Sequence, residues 1–200
     1  MMMTTLLVSQ VLSWAIILCL GVALAALARQ VGVLHMRVAP AGALTGNRGP
    51  AVGESAPHLH LTALDGAPVE IGGTLTGAAM RLLMFVSAEC PLCKNLIPAA
   101  KSFAKAERID LVFAGDDNPT VQHALVKAQG LEAFPFVNTL ELGLAFHVDK
   151  LPYAVLMDAA GSVLSKGLVN SREHLESLIV AHEMGLRSVQ DYINSLRVKA

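Results

Sequence analysis

Three cysteines in 200 residues are too few for a disulfide scaffold, so a bridge in this chain is expected to be reactive rather than a framework. Charge is also scarce. Asp, Glu, Lys and Arg make up 16% of the residues and the formal net charge is −1, which leaves no electrostatic case for nucleic acid. With 54% apolar residues and a mean hydropathy of +0.53, the chain is more apolar than an ordinary soluble domain, and part of it is expected to face lipid.

Residues 4–28 carry no charge at all. Such a run can cross the roughly 30 Å hydrocarbon core as a tilted helix, so residues 4–28 are expected to be a transmembrane anchor in a lipid bilayer. Ala26-Leu27-Ala28 resembles the small-residue site of a cleaved signal peptide, the competing reading. No positive stretch precedes the run, however, and it is long for a signal-peptide core. Trp14 stands near its middle, and Cys19 reads most simply as a small apolar residue. Arg29, Arg37 and Arg48 follow the span, and by the positive-inside rule they vote for a cytoplasmic location of what comes after.

Residues 29–52 include V-A-P-A-G-A-L-T-G-N-R-G-P, rich in Gly, Pro and Ala without periodicity, and read as a linker. A folded domain is expected over residues 53–186, followed by an amphipathic tail over residues 187–200. Residues 58–64 alternate as a strand does, Asp65-Gly66 signals a hairpin turn, and residues 68–71 can return as the partner strand. His58 and His60 then share one face. With no third ligand evident in the sequence they read as solvent-facing, and no metal or other cofactor is expected.

Residues 81–102, R-L-L-M-F-V-S-A-E-C-P-L-C-K-N-L-I-P-A-A-K-S, carry the chemistry. Residues 82–86 suit a strand buried on both faces, residues 87–89 make a turn, and Pro91 stands where the first helical turn tolerates proline. Cys90 and Cys93 therefore open a helix, with two residues between them, a spacing that suits a disulfide. The positive end of the helix favours an anion there, so Cys90 is expected to be the more acidic, attacking thiol and Cys93 the resolving one. A zinc half-site is the competing reading. It lacks a second ligand pair, because Cys19 lies in the apolar run and no two histidines have the H-x3–5-H spacing.

Beyond Cys93 a helix is expected to end near residues 105–107, and residues 109–114 read as a second buried strand. Asp116 and Asp117 read as helix-capping residues before a helix over residues 121–129 that Gly130 stops. Residues 134–148 read as an irregular apolar connection. Pro152 opens a strand over residues 154–157, a turn at residues 158–161 leads to its partner over residues 163–169, and Asn170 is read as the cap of a last helix.

Strand, C-x-x-C helix, strand, helix, proline-led strand, hairpin and helix in this order resemble the thioredoxin fold, an α/β class. Lys94 after the second cysteine, Pro98 within the helix and Pro152 in the slot of the cis-proline agree with it, and imply a cis Leu151–Pro152 bond. Ala88 and Glu89 stand where many thioredoxins have tryptophan before the first cysteine, and Pro-Leu replaces Gly-Pro. G-E-S-A-P at residues 53–57 and L-D-G at residues 64–66 are similar to the N-terminal addition of the membrane-anchored TlpA, ResA and peroxiredoxin-like branch. T-L-E-L-G-L-A-F-H-V-D-K-L-P-Y-A-V-L-M-D at residues 139–158 and K-G-L-V-N-S-R-E-H-L-E-S-L at residues 166–178 resemble the MauD family of methylamine utilisation proteins.

That resemblance implies a single-pass protein of the bacterial inner membrane with its domain facing the periplasm. It implies a thiol–disulfide oxidoreductase or isomerase whose client is the small subunit of methylamine dehydrogenase, a disulfide-rich chain with a quinone made from two tryptophans. A membrane redox partner would recycle Cys90 and Cys93, and Pro91, Leu92, Leu151, Pro152 and Tyr153 would line the client groove. The alternatives are a thiol reductase for cytochrome c or copper-site assembly, and a tethered chaperone or copper-binding module without exchange chemistry.

Overall fold

The computed structural model describes residues 3, 9–10, 12–24 and 49–183. The chain divides into two units, Met1–Leu44 and Thr45–Ala200. In the first, residues 9–10 and 12–24 are helical and exposed. Among the described residues no helix is long and apolar enough to cross a membrane, and the remainder of the span expected over residues 4–28 lies outside them, as do most of the linker and all of the tail.

In the second unit, β1 (Leu59–Thr62) and β2 (Pro68–Ile71) form an antiparallel hairpin with His60 opposite Glu70. Its turn uses Gly66 at φ 87° and an Asp65 carboxylate that accepts from Ala67 N–H at 3.0 Å. The main sheet contains β3 (Met80–Phe85), β4 (Asp110–Gly115), β5 (Phe136–Asn138), β6 (Tyr153–Asp158) and β7 (Val163–Leu168). Their order is β5-β4-β3-β6-β7, with β4 parallel to both β3 and β5 and with β3, β6 and β7 successively antiparallel.

Among the described residues the unit also has four helices: α1 (Pro91–Glu107), α2 (Pro119–Gln129), α3 (Leu140–Ala145) and α4 (Arg172–Glu183). Alternation along β3 sends Leu82 and Met84 to one face and Leu83 and Phe85 to the other. The first pair joins Leu96, Ile97 and Phe103 of α1, Leu125 of α2, and Leu175 and Leu178 of α4. The second meets Val69 and Ile71 of the hairpin and Leu142 of α3. Because both faces are covered, β3 is apolar throughout its buried part.

Three parts of the sequence reading are corrected. Residues 134–148 contain β5 and α3 rather than an irregular connection. The cap of α2 is Asn118, whose Oδ1 accepts from Thr120 N–H at 2.9 Å, not Asp116 or Asp117. The cap of α4 is likewise one residue later than Asn170, since Ser171 Oγ accepts from His174 N–H at 3.4 Å. Residues 50–54 are fastened to β7. Gly53 N–H donates to the Val163 carbonyl at 2.8 Å, Val163 N–H to Glu54 at 2.9 Å, and the buried Lys166 Nζ to the Pro50 carbonyl at 2.7 Å.

Candidate functional site

The C-terminal end of β3 delivers the chain to the site. Val86 is held by a bond from its N–H to the Ala114 carbonyl of β4 at 2.8 Å; Ser87, Ala88 and Glu89 then turn the chain into α1. Because β3 and β4 run parallel, the segments that leave them emerge from the same edge of the sheet. There the carboxylate of Asp117, just beyond β4, accepts from Ser87 Oγ at 2.8 Å and from Ala88 N–H at 3.2 Å. Asn138 Nδ2, at the end of β5, donates to the Asp117 carbonyl at 2.8 Å. Both segments are therefore tied together directly ahead of Cys90.

Cys90 is itself the N-cap of α1, with Pro91 in the first turn. Its Sγ accepts from Cys93 N–H at 3.1 Å, and the two cysteines are disulfide-bonded with Cα atoms 5.3 Å apart. Cys90 is half-buried, whereas Cys93 is 0% exposed and packs among the core residues of α1 and β3. A helix N-terminus with an N–H aimed at the sulfur stabilises a thiolate on Cys90 once the bridge is reduced. Shielding of Cys93 leaves it able to attack its neighbour but not a large molecule in solution.

The second wall of the site comes from β6. Pairing of Phe85 with Tyr153 places Pro152 level with the end of β3, at the edge from which Cys90 departs. Leu151–Pro152 is cis, as the fold resemblance implies. Pro152 is buried and its carbonyl accepts from Val169 N–H at 3.1 Å, while Leu151 is 37% exposed. Pro91 is exposed and Leu92 half-buried at the start of α1.

Tyr153 does not join these residues by its ring. It lies edge-on to Phe85 with centroids 6.4 Å apart, within the apolar cluster on the hairpin side, and Cys93 belongs to the opposite face. Burial, with the charge of Asp149 second, pushes its phenol up to about 12.

Asp117, Ser87 and Asn138 are site residues the sequence reading missed. A buried neighbour, Gln122 of α2, is 0% exposed and lies over Gly115, where an added Cβ would collide with its amide nitrogen. Among the described residues neither polar atom of its side chain has a hydrogen-bond partner. Of the acidic pair in G-D-D-N-P, only the topology of β3 and β4 reveals which member faces the C-x-x-C loop.

The geometry has relatives. No family model matches the chain. Among solved structures, it aligns with MTB dsbF in its mixed oxidized and reduced forms at a TM-score of 0.55 and 20% identity, over 64% of this chain and 98% of that one. StoA from Bacillus subtilis aligns at 0.51 and 23% identity, over 65% and 99% of the two chains. A thioredoxin-like protein from Aeropyrum pernix aligns at 0.54 and 22% identity, over 62% and 89%. These likenesses establish a thioredoxin-like fold.

Curated relatives match the whole chain. The methylamine utilization protein MauD of Paracoccus denitrificans is 40% identical over 199 residues, covering 100% of both chains. MauD of Methylorubrum extorquens is 40% identical over 98% of this chain and 95% of its own, and MauD of Methylophilus methylotrophus 37% over 94% and 89%. With the C-x-x-C helix, the cis-proline strand and this full-length identity together, the chain belongs to the MauD family of methylamine utilization proteins.

Proposed function

We propose that this protein is a membrane-anchored, periplasm-facing thiol–disulfide oxidoreductase or isomerase that brings the small subunit of methylamine dehydrogenase to its native disulfide pairing. The observation that carries the chemistry is the asymmetry of the cysteine pair: a half-buried Cys90 Sγ at a helix N-terminus bonded by Cys93 N–H, and a Cys93 with no exposed surface. In the reduced protein the Cys90 thiolate attacks one sulfur of a client disulfide. A Cys90–client bond forms and the second client sulfur leaves as thiolate. The released thiolate can then attack a neighbouring client bridge and re-pair it, ultimately displacing Cys90 with no net change in oxidation. Alternatively, Cys93 attacks Cys90 Sγ, freeing a reduced client and leaving the Cys90–Cys93 bridge for a membrane redox partner to reduce. Run in reverse, the bridge oxidises a client dithiol by the same two exchanges.

Pro91 and Leu92 lie between the two cysteines, Leu151 and Pro152 lead into β6 beside β3, and together they would take the client's extended backbone. The family name supplies the client class, because methylamine utilization is what the MauD relatives are named for. The anchor reading is supported by the exposed apolar side chains Leu12, Trp14, Ile16, Leu18, Leu20 and Leu24 on the N-terminal helical residues.

The test is genetic. A methylotroph lacking its own copy is supplied with this chain or with its Cys90→Ser/Cys93→Ser form. The proposal expects the intact chain to restore growth on methylamine and the small subunit, and the double variant to leave the subunit scarce while its message persists. Normal dehydrogenase activity with the double variant would remove exchange chemistry from the role and favour a chaperone.

A further inference from the structure

The β1–β2 hairpin brings together a group of side chains that the redox chemistry does not use. His60 of β1 pairs directly across from Glu70 of β2, and His58, two residues earlier, projects to the same side of the ribbon. His58 Nε2 is hydrogen-bonded to Glu70 Oε1, and the two imidazole rings lie 4.8 Å apart at a tilt of 50°. One ligand atom from each of the three residues lies within 4.8 Å of the other two, and all three residues are exposed. The sequence shows two histidines and no third ligand; the hairpin register supplies it.

We propose that His58, His60 and Glu70 form a surface binding site for a divalent late transition-metal ion, zinc or copper(II). Two imidazoles and one carboxylate are the donor set these ions prefer, whereas magnesium and calcium take oxygen ligands. Three protein ligands on an exposed ribbon leave further coordination positions for water. A plain His58–Glu70 ion pair has no use for His60, whose ring crowds the pair. A cation shared among the three groups turns the same crowding into attraction.

The surroundings keep the carboxylate available. Arg81, a neighbouring cation, directs Nε to Asp110 Oδ2 at 2.6 Å and Nη1 to the main-chain carbonyl of Glu70. Gly73 leaves the space into which the Glu70 side chain folds, since a Cβ there would collide with its carboxylate. The site adjoins the N-terminal end of β3 through Arg81, and Cys90 follows the other end. At about 3.3 Å per residue the six residues of β3 hold the two apart by roughly 20 Å, so the metal would fasten the hairpin rather than touch the sulfurs.

The test uses the full chain carrying Cys19→Ser, with a histidine-free affinity tag and its Cys90–Cys93 bridge oxidised, so that no thiolate can bind. Zinc chloride and copper(II) chloride are titrated separately by calorimetry, with magnesium chloride as the control. The expected result is one zinc ion bound per chain and a loss of affinity of at least tenfold in each of Glu70→Gln, His60→Ala and Gly73→Ala. Metal-free melting temperatures check that each variant is folded. Copper(II) bound to the intact chain should show electron-spin coupling to two imidazole nitrogens, missing in His58→Ala/His60→Ala. If the intact chain takes up no zinc at tens of micromolar, or if the double histidine variant binds as tightly as the intact chain, the site does not exist.

Discussion

Asp117 accepts both of its hydrogen bonds from the C-x-x-C loop on a single oxygen, Oδ2, which sets a specific expectation for substitution. Asp117→Ala leaves Ser87 Oγ and Ala88 N–H without their partner and should cost about 1–3 kcal/mol in denaturant unfolding, with slower disulfide exchange because the loop ahead of Cys90 is no longer fixed. Asp117→Asn retains a carbonyl oxygen at that place and should recover most of the stability; equal losses in the two variants would contradict the assignment. Tyr153 makes a pH-dependent contribution. Its phenol is held up to about 12 against an ordinary value of 10.0, so the fold favours the neutral form. The stabilisation is complete below pH 10 and lost as pH rises toward 12. Two pH units correspond to about 2–3 kcal/mol for a largely buried group. Tyr153→Phe should flatten that part of the alkaline unfolding profile, and an unchanged profile would show that the ring is solvated. None of this was legible from residues alone: the sequence marks Asp117 as a cap and Tyr153 as groove, and only the pairing of β3 with β4 and β6 gives the faces on which they act.

Helix α1 shows which signals are local enough to read in a sequence. Cys90 as cap, Pro91 in the first turn and the apolar stripe of Leu96, Ile97, Ala100 and Phe103 all lie within one element, and the helix forms where the pattern places it. The β1–β2 hairpin is equally legible because Asp65-Gly66 sets its turn. β5 and α3 were not, for a physical reason: three and six residues are too few to establish a period, and β5 exists because β4 offers it a parallel edge. The same limit hid Asn118 and Ser171 as caps, where several capping residues stand side by side. At the other end of α1, Arg108 closes the helix in the left-handed region at φ 56°, with its N–H bonded to the Ala104 carbonyl. A side chain there costs about 1 kcal/mol relative to glycine. Arg108→Gly should therefore raise stability by about that amount in thermal or denaturant unfolding; a clear loss would mean that the arginine side chain makes a contact outweighing its backbone cost.

For the whole molecule, the arginines after the apolar run oppose the proposed client, whose disulfides would form outside the cytoplasm. The proposed periplasmic placement predicts that alkaline phosphatase fused after Ala200 is active and that a cytoplasmic reporter at the same position is silent; the converse pattern would uphold the arginine count. Domain fold and cysteine pair were readable because they repeat a pattern of elements, whereas the proposed client rests on family resemblance alone, since no residue proposed for the groove encodes it by itself. The most direct test of the account is therefore to catch the client on the sulfur. Cys93→Ser removes the internal escape from the mixed disulfide, and Cys90→Ser leaves, of the pair, only the sulfur with no exposed surface. In methylamine-grown cells treated with acid to quench exchange, Cys93→Ser should accumulate a species, dissolved by reductant, that mass spectrometry resolves into this chain joined through Cys90 to the methylamine dehydrogenase small subunit, and Cys90→Ser should not. The account is contradicted if Cys93→Ser traps no small subunit, or if Cys90→Ser traps it equally well.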